Sequence, residues 1–242
     1  MPDNKNSAFS IEQLDWDTEF FGYKTGKAIL NKPLSDFEWS SLHKQLHEYE
    51  LSVIKNLNSE ICNAQLIARY TNAFLAEESI ILTKKLTGTA TIPDNVEIHS
   101  NYPRDERMIE MANYIGSRFV EDPMLKEHGG AEVYRQWLIN SFEKEDKIFG
   151  LSKTGEDLNG YILFSFTGSN CFGELMNVAP TSLRNGIATG LFAAMEATAY
   201  QRGCMEISLG AQLKNYKAIN LYHKIGYRQT ACHQVYHLWN IT

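Results

Sequence analysis

The sequence predicts an α/β (α+β) fold, in which a central mixed, largely antiparallel sheet is flanked by helices and preceded by a smaller amino-terminal α/β domain. Three observations predict it. Apolar residues recur at three- and four-residue steps in several segments, the helical period. Residues 147–153, 161–166 and 172–178 are short strand-like runs split by Gly155-Glu156-Asp157 and Gly168-Ser169-Asn170, the pattern of an antiparallel meander. The stretch 87–95 gathers small, β-branched and breaker residues mid-chain, which sets a domain boundary at 92/93. A chain of 242 residues has room for one domain of about 150 residues and a smaller companion.

In order, unit 1–92 reads as a strand at 23–30, a helix at 34–49, a strand at 51–55, a helix at 60–70 and a strand at 80–84. Unit 93–242 opens with two amphipathic helices, one carrying Met108, Met111, Ala112, Ile115 and Phe119, the other Tyr134, Trp137, Leu138 and Phe142. The meander follows. Beyond Pro180 the helical period returns, with Ile187, Leu191, Met195 and Ala199 on one face and an end near Arg202-Gly203. A strand at 205–209 leads to a helix at 216–225, which Gly226 stops in the position of a C-terminal cap. A strand at 230–239 completes the order. Strand 51–55, helix 60–70 and the strand after Ala73-Phe74 parallel strand 205–209, helix 216–225 and the strand after Gly226-Tyr227. The small domain is therefore either a degenerate half-copy of the large one or a second use of a common unit.

Composition narrows the function. Hydrophobic residues make 43% and charged residues 21%, which excludes disorder and coiled coil. The net charge of −6 lacks the basic footprint of a nucleic-acid or anionic-membrane binder. No apolar run approaches the roughly 18 residues of a membrane span, and the polar start lacks a leader's apolar core, so a cytoplasmic location is expected. Cys62, Cys171, Cys204 and Cys232 form no C-x-x-C pair and no zinc spacing, so no metal is expected.

Two segments carry chemistry. From Asn177 to Gly190 a strand ends at Pro180, a polar loop follows, and Gly186 and Ala188 open a helix. Small residues let a ligand approach the backbone, and free N–H groups of a first helical turn suit an anion such as a pyrophosphate, with Arg184 beside them. Simple packing of the helix start is the other reading. In the second segment, Asn215, Ala218 and Tyr222 share one helical face with a small residue between two polar ones. Tyr222 is either a reactive hydroxyl at a groove or a core aromatic.

Together the segments resemble the GCN5-related N-acetyltransferase (GNAT) superfamily over roughly residues 96–242. The resemblance implies acyl-CoA (acetyl-CoA or hydroxyacyl-CoA) as co-substrate. It implies that Leu183, Arg184, Asn185, Gly186, Ile187, Ala188, Thr189 and Gly190 cradle its pyrophosphate, with Leu183 where the family has Gln or Arg. It further implies that Asn215 lies near the pantetheine, that the backbone N–H near Val178 faces the thioester oxygen, and that Tyr222 is the acid for the leaving sulfur. The base is expected among Glu174, the first choice, Asn177, His233 and His237; the alternative is that Glu174 is a solvated strand carboxylate and that no dedicated base is needed, because sugar amines lose their proton near neutral pH. A narrower resemblance runs through Leu14–Gly22, Ser117-Arg118-Phe119, Asp122-Pro123 and Tyr134–Trp137 to the two-domain TDP-fucosamine acetyltransferase branch. It implies N-acylation of a nucleotide-linked, commonly dTDP-linked, amino sugar in surface polysaccharide precursor synthesis, with Arg118, Phe21 and Asn177 as substrate contacts. Arg118 alternatively caps its helix or pairs with Asp122, and Phe21 alternatively belongs to a domain interface. Rival readings are an acetyltransferase for another amine, such as a protein N-terminus or small metabolite, and a non-catalytic acyl-CoA-binding module. No nucleic-acid or membrane partner is expected, and a homodimer is left open.

Overall fold

Glycine-led turns fold residues 147–178 into the expected meander. Gly155 and Gly168 each take a φ of +59° at the first of two central positions, as a type II′ hairpin turn needs. They join β6 (Lys147–Thr154), β7 (Asp157–Thr167) and β8 (Asn170–Val178) in antiparallel register. The structure is a computed structural model and describes residues 7–112, 114 and 116–241. Ahead of the meander lie β1 (Phe9–Gln13), α1 (Asp15–Phe21), β2 (Thr25–Leu30), α2 (Asp36–Leu46), β3 (Leu51–Leu57), α3 (Ile61–Tyr70), β4 (Phe74–Lys85) and β5 (Val96–Ser100). Four short helices follow β5: α4 (Glu106–Met111), α5 (Arg118–Glu121), α6 (Pro123–Glu127) and α7 (Val133–Ile139). After the meander come α8 (Ile187–Gln201), β9 (Glu206–Gln212), α9 (Tyr216–Lys224) and β10 (Arg228–Trp239).

The described strands make one mixed, largely antiparallel sheet in the order β1-β2-β3-β10-β4-β9-β8-β7-β6-β5. Strand alternation sorts its side chains onto two faces. On one face, Trp39, Leu42 and Leu46 of α2 and Ile67 of α3 cover Ala28, Leu30, Ile54 and Leu238, while Leu191, Phe192 and Met195 of α8 cover Ile80, Leu82, Ile162, Ile207 and Leu209. On the other, Met108 and Leu138 of α4 and α7 pack on Phe149, Leu163 and Leu175, and Phe21, Leu125 and Val133 pack on Leu51, Val53 and Val235.

Four elements differ from expectation. The single helix through Met108–Phe119 is two, α4 and α5: Ala112 caps α4, Gly116 turns with a φ of +86°, and Ser117 is extended. Ile115 lies outside the described residues. Residues 9–13 and 96–100 are strands that the sequence reading lacks, and β4 begins at Phe74 instead of Ile80. Both added strands are five residues long, and each finishes its edge of the sheet by pairing with one neighbour, β1 with β2 and β5 with β6.

A pairing pattern occurs twice. Strands β2 and β3 are parallel and joined through α2; β8 and β9 are parallel and joined through α8. Strand β3 continues through α3 into β4, and β9 through α9 into β10. Neither last strand stays beside its predecessor: β4 pairs with β9 and β10, and β10 lies between β3 and β4. The 92/93 position falls between β4 and β5, and the sheet runs unbroken across it.

A buried polar knot ties α6 to β10. Asp122 caps α6 through the N–H groups of Met124 and Leu125 and also accepts from His237 Nδ1 at 2.5 Å and Trp239 Nε1 at 3.1 Å. Burial alone would raise the Asp122 carboxyl, but these bonds hold it below the usual carboxylate range; burial pushes His237 down. Asp122→Ala is expected to cost roughly 2–4 kcal/mol, a lost cap plus two stranded donors, measured by urea unfolding at pH 7.5. Because native His237 is neutral while unfolded His takes up a proton near pH 6.5, and Asp122 is likewise depressed, the knot's contribution is full above about pH 6.5 and is lost on acidification. The wild-type melting temperature should therefore fall as pH drops from 7 to 5. A flat profile would remove the knot from the acid response.

Candidate active site

The site begins where two parallel strands part. Pairing of β8 with β9 runs from Cys171–Ile207 through Gly173–Leu209 and stops there, whereas β2 and β3 stay paired from Thr25–Leu51 through Leu30–Asn56. At the same point β8 bulges, since Leu163 faces Leu175 and Phe164 faces Gly173, which leaves Glu174 unopposed on β7. The result is a wedge-shaped gap in the sheet. Glu174, Leu175 and Met176 line it from β8, Leu209 and Gly210 from β9, and Phe192 and Tyr222 from the α8/α9 face.

Tyr222 stands edge-on to Phe192 at 5.3 Å between ring centroids, and its hydroxyl has no hydrogen-bond partner among the described residues. Burial pushes that phenol up to about 12. Asn215 caps α9 by accepting the Ala218 N–H at 3.2 Å and lines the mouth of the gap with Tyr114, Asn177, Gln212 and Lys217. Tyr114, absent from the sequence reading, donates to the Met176 carbonyl at 3.3 Å on the parted stretch of β8.

At the far end of β8 the chain turns through Pro180–Ser182 and enters α8. Arg184 and Gly186 hold φ values of +65° and +78°, and a glycine at Gly186 meets that left-handed backbone without strain. No side chain caps α8, and Leu183, Arg184, Asn185, Gly186 and Thr189 are exposed around its first turn, with Ile187, Ala188 and Gly190 half-buried. The start of α2 is the internal contrast. There Ser35 and Glu38 form a reciprocal capping box, so a carboxylate already sits where an anion would. An open strand gap and an open helix start therefore coincide only in the second occurrence of the pattern among the described residues.

On the opposite face of the sheet, under α1, α5 and α7, lies a cavity of about 590 Å³. Lys27, Lys55, Arg118 and Lys147 line it with Asp17, Glu77, Trp16 and Trp137. Arg118 Nε is buried without a hydrogen-bond partner among the described residues, and the guanidinium lies 4.3 Å from the Phe119 ring centre. Burial, then the neighbouring Lys27 and Arg118 charges, push Lys55 down. Burial raises Asp17 against the pull of Arg118 and Lys27. Glu174 joins cavity and gap: its carboxylate accepts from Lys147 Nζ at 2.6 Å and Trp137 Nε1 at 3.2 Å, both cavity residues.

Several expected roles change. Phe21 is 3% exposed, packed at 6.1 Å against Phe119 behind the cavity wall, so it props that wall and does not line the cavity. The Asn177 amide is committed at both ends, donating to the Met111 carbonyl and accepting the Val178 N–H at 3.0 Å. One amide N–H and one oxygen lone pair of Asn177 are thereby used within β8 and α4, and the Val178 N–H, expected as an oxyanion donor, is given to the Asn177 side chain. His237 is held by Asp122, and His233 Nδ1 accepts the Asn58 N–H at 3.3 Å; neither lines the gap. Arg118 opens α5 and faces the cavity; Asp122 is taken by His237 and Trp239.

Comparison with known proteins defines the class. The acetyltransferase (GNAT) family model matches residues 111–227. The chain resembles a GCN5-related N-acetyltransferase from Sphaerobacter thermophilus with a TM-score of 0.64 at 11% identity, covering 97% of this chain and 78% of that one. It also resembles a tandem GNAT protein from the clavulanic acid biosynthesis pathway with a TM-score of 0.57 at 10% identity, covering 90% and 76%. These likenesses show the fold. Residues 111–227 form a GNAT-type acetyltransferase domain, an acyl-CoA-dependent N-acyltransferase. Among curated proteins the chain is 23% identical over 199 residues, 81% of its length and 69% of the other's, to the spore coat polysaccharide biosynthesis protein SpsD of Bacillus subtilis strain 168. No helix among the described residues is long and apolar enough to cross a membrane.

Proposed function

We propose that the enzyme transfers an acetyl or hydroxyacyl group from acyl-CoA to the amine of a dTDP-linked amino-dideoxyhexose during cytoplasmic synthesis of a surface polysaccharide precursor. The observation that carries this reading is Arg118, whose buried Nε, without a partner among the described residues, lines a cavity with three further cations, Lys27, Lys55 and Lys147, in a protein of net charge −6. A desolvated donor without a partner is costly, and a diphosphate both satisfies it and relieves the repulsion on Lys55. The relative named for spore coat polysaccharide biosynthesis supports the same class of acceptor. In this reading residues 1–92 are a degenerate half-GNAT, supported by the repeated pairing pattern, whose closed β2/β3 pair and capped α2 leave it no room for acyl-CoA.

The gap fits an extended pantetheine chain, because β8 beyond Gly173 has no strand partner on that side. The backbone around Gly186 and the first turn of α8 would hold the pyrophosphate, with Arg184 beside it, and Asn215 would flank the pantetheine. The sugar amine, arriving from the cavity face, attacks the thioester carbonyl with its lone pair; the C–N bond forms and the C–S bond breaks. Glu174, between cavity and gap, takes the proton that the nitrogen sheds. Tyr222, on the far side of the gap, donates its hydroxyl proton to the departing sulfur and regains one from solvent.

The test combines ligand stabilisation with turnover. At one hundred times its Kd, dTDP should stabilise the native protein by about 2.7 kcal/mol, raising the melting temperature by roughly 5–10 °C. Release of CoA thiol from acetyl-CoA should require a dTDP-amino sugar. No shift with millimolar dTDP, together with equal turnover of simple amines, would overturn the acceptor assignment and leave the acyltransferase class standing.

A further inference from the structure

We infer that Trp16 is the stacking platform for the nucleobase of the acceptor, so that the amino-terminal half reads the nucleoside and the GNAT domain the amine. The inference rests on the nucleotide-sugar reading above and deepens it. Trp16 lies on α1 and is 36% exposed, a large aromatic at the wall of the cavity. One face of its ring is already backed by Phe20, stacked at 4.7 Å between centroids and 16° between planes. Phe20 in turn meets Phe21 edge-on at 5.0 Å, and buried Phe21 anchors the pair to the sheet. The indole is thus backed by Phe20 and, still 36% exposed, lines the cavity, which is the build of a platform for a flat ring.

The layout along the sheet gives the direction. Lys27 is on β2 and Lys55 on β3, Glu77 on β4, and Glu174 on β8 at the gap. Strands β3 and β9 are three spacings apart in the order β3-β10-β4-β9, about 14 Å at ~4.8 Å each. That distance separates the strand of Lys55 from the gap and suits a base beyond one end, a hexose amine at the other, and a diphosphate between them beside Arg118. Stacking tolerates any base, so the platform supplies affinity for a nucleoside and leaves selection among bases to polar groups such as Asp17.

Three ligands resolve the question by calorimetry on the full chain: dTDP, inorganic pyrophosphate, which keeps the diphosphate without a base, and thymidine. Trp16→Leu should weaken dTDP binding by roughly 5- to 150-fold, the range for one base stacked on an aromatic. Pyrophosphate affinity should stay within about twofold of wild type, and Trp16→Tyr should recover most of the dTDP affinity, which excludes misfolding as the cause. Trp16→Leu binding dTDP as wild type does would overturn the platform while leaving the nucleotide acceptor intact. Equal losses for dTDP and pyrophosphate would overturn it too, by showing that the change disturbs the diphosphate site. Wild type binding pyrophosphate but gaining nothing from dTDP or thymidine would withdraw the nucleoside altogether.

Discussion

Tyr222→Phe is expected to lower kcat by roughly 10²–10⁴-fold while acyl-CoA affinity changes little, the range for removal of a positioned acid. The ring stays, so its packing on Phe192 stays, and one hydroxyl without a partner among the described residues is lost. With the phenol pushed up to about 12, complete proton transfer to a thiolate of ordinary pKa near 8.5 runs uphill by roughly 5 kcal/mol. In the proposed mechanism Tyr222 would therefore act as a hydrogen-bond donor while charge grows on sulfur, its proton moving only as the C–S bond opens. The corollary is a flat pH dependence on the alkaline side up to about pH 10, since the hydroxyl keeps its proton there. Single-turnover measurements with saturating acyl-CoA read the effect directly. A kcat within about threefold of wild type would assign the ring to packing and the proton to solvent.

The second large effect is expected at Arg118. Arg118→Met should raise the KM for the nucleotide sugar by roughly 10- to 150-fold, the worth of one charge-assisted hydrogen bond, with kcat and acyl-CoA binding little altered. The same substitution should leave the free protein as stable as wild type or slightly more stable. It removes a buried donor with no partner and relieves the repulsion that depresses Lys55. Weaker binding joined to undiminished stability is what a ligand-facing cation gives. A structural arginine gives the opposite, with urea unfolding showing a loss and the KM unmoved.

Much of this site was visible in the order of residues, and what was hidden has a common cause. The helix start at Gly186 was legible because a left-handed backbone position selects glycine locally, and Tyr222 because three residues on one helical face lie within two turns of sequence. The hairpins at Gly155 and Gly168 were legible for the same reason. The cavity was not, since Lys27, Lys55, Glu77, Arg118, Trp137 and Lys147 come together only through the order β2-β3-β10-β4-β9-β8-β7-β6, which no local pattern encodes. The surroundings of Phe21 and Asn177 were not legible because an aromatic or an amide near a motif looks the same whether its partner is ligand or protein. Only the tertiary partners, Phe119 for one and Met111 with Val178 for the other, tell them apart. Glu174 was chosen as a carboxylate on a central strand; that it occupies a bulge at the end of the β8/β9 pairing depends on register.

The exchanged strands β4 and β10 set the timetable of assembly during synthesis. Strand β4 is made early, yet both of its neighbours, β9 and β10, lie more than a hundred residues further along, and β3 waits equally long for β10. Until residues 228–239 emerge, the first half presents two strands with open edges, one of them twelve residues long, the kind of edge that recruits other chains. Contacts so distant in sequence make closure slow. Residues 1–92 produced alone should therefore aggregate, and residues 93–242 alone should lack the strand that backs β9. Supplied together, the two fragments have in β4 and β10 the complementary edges with which to rebuild one sheet.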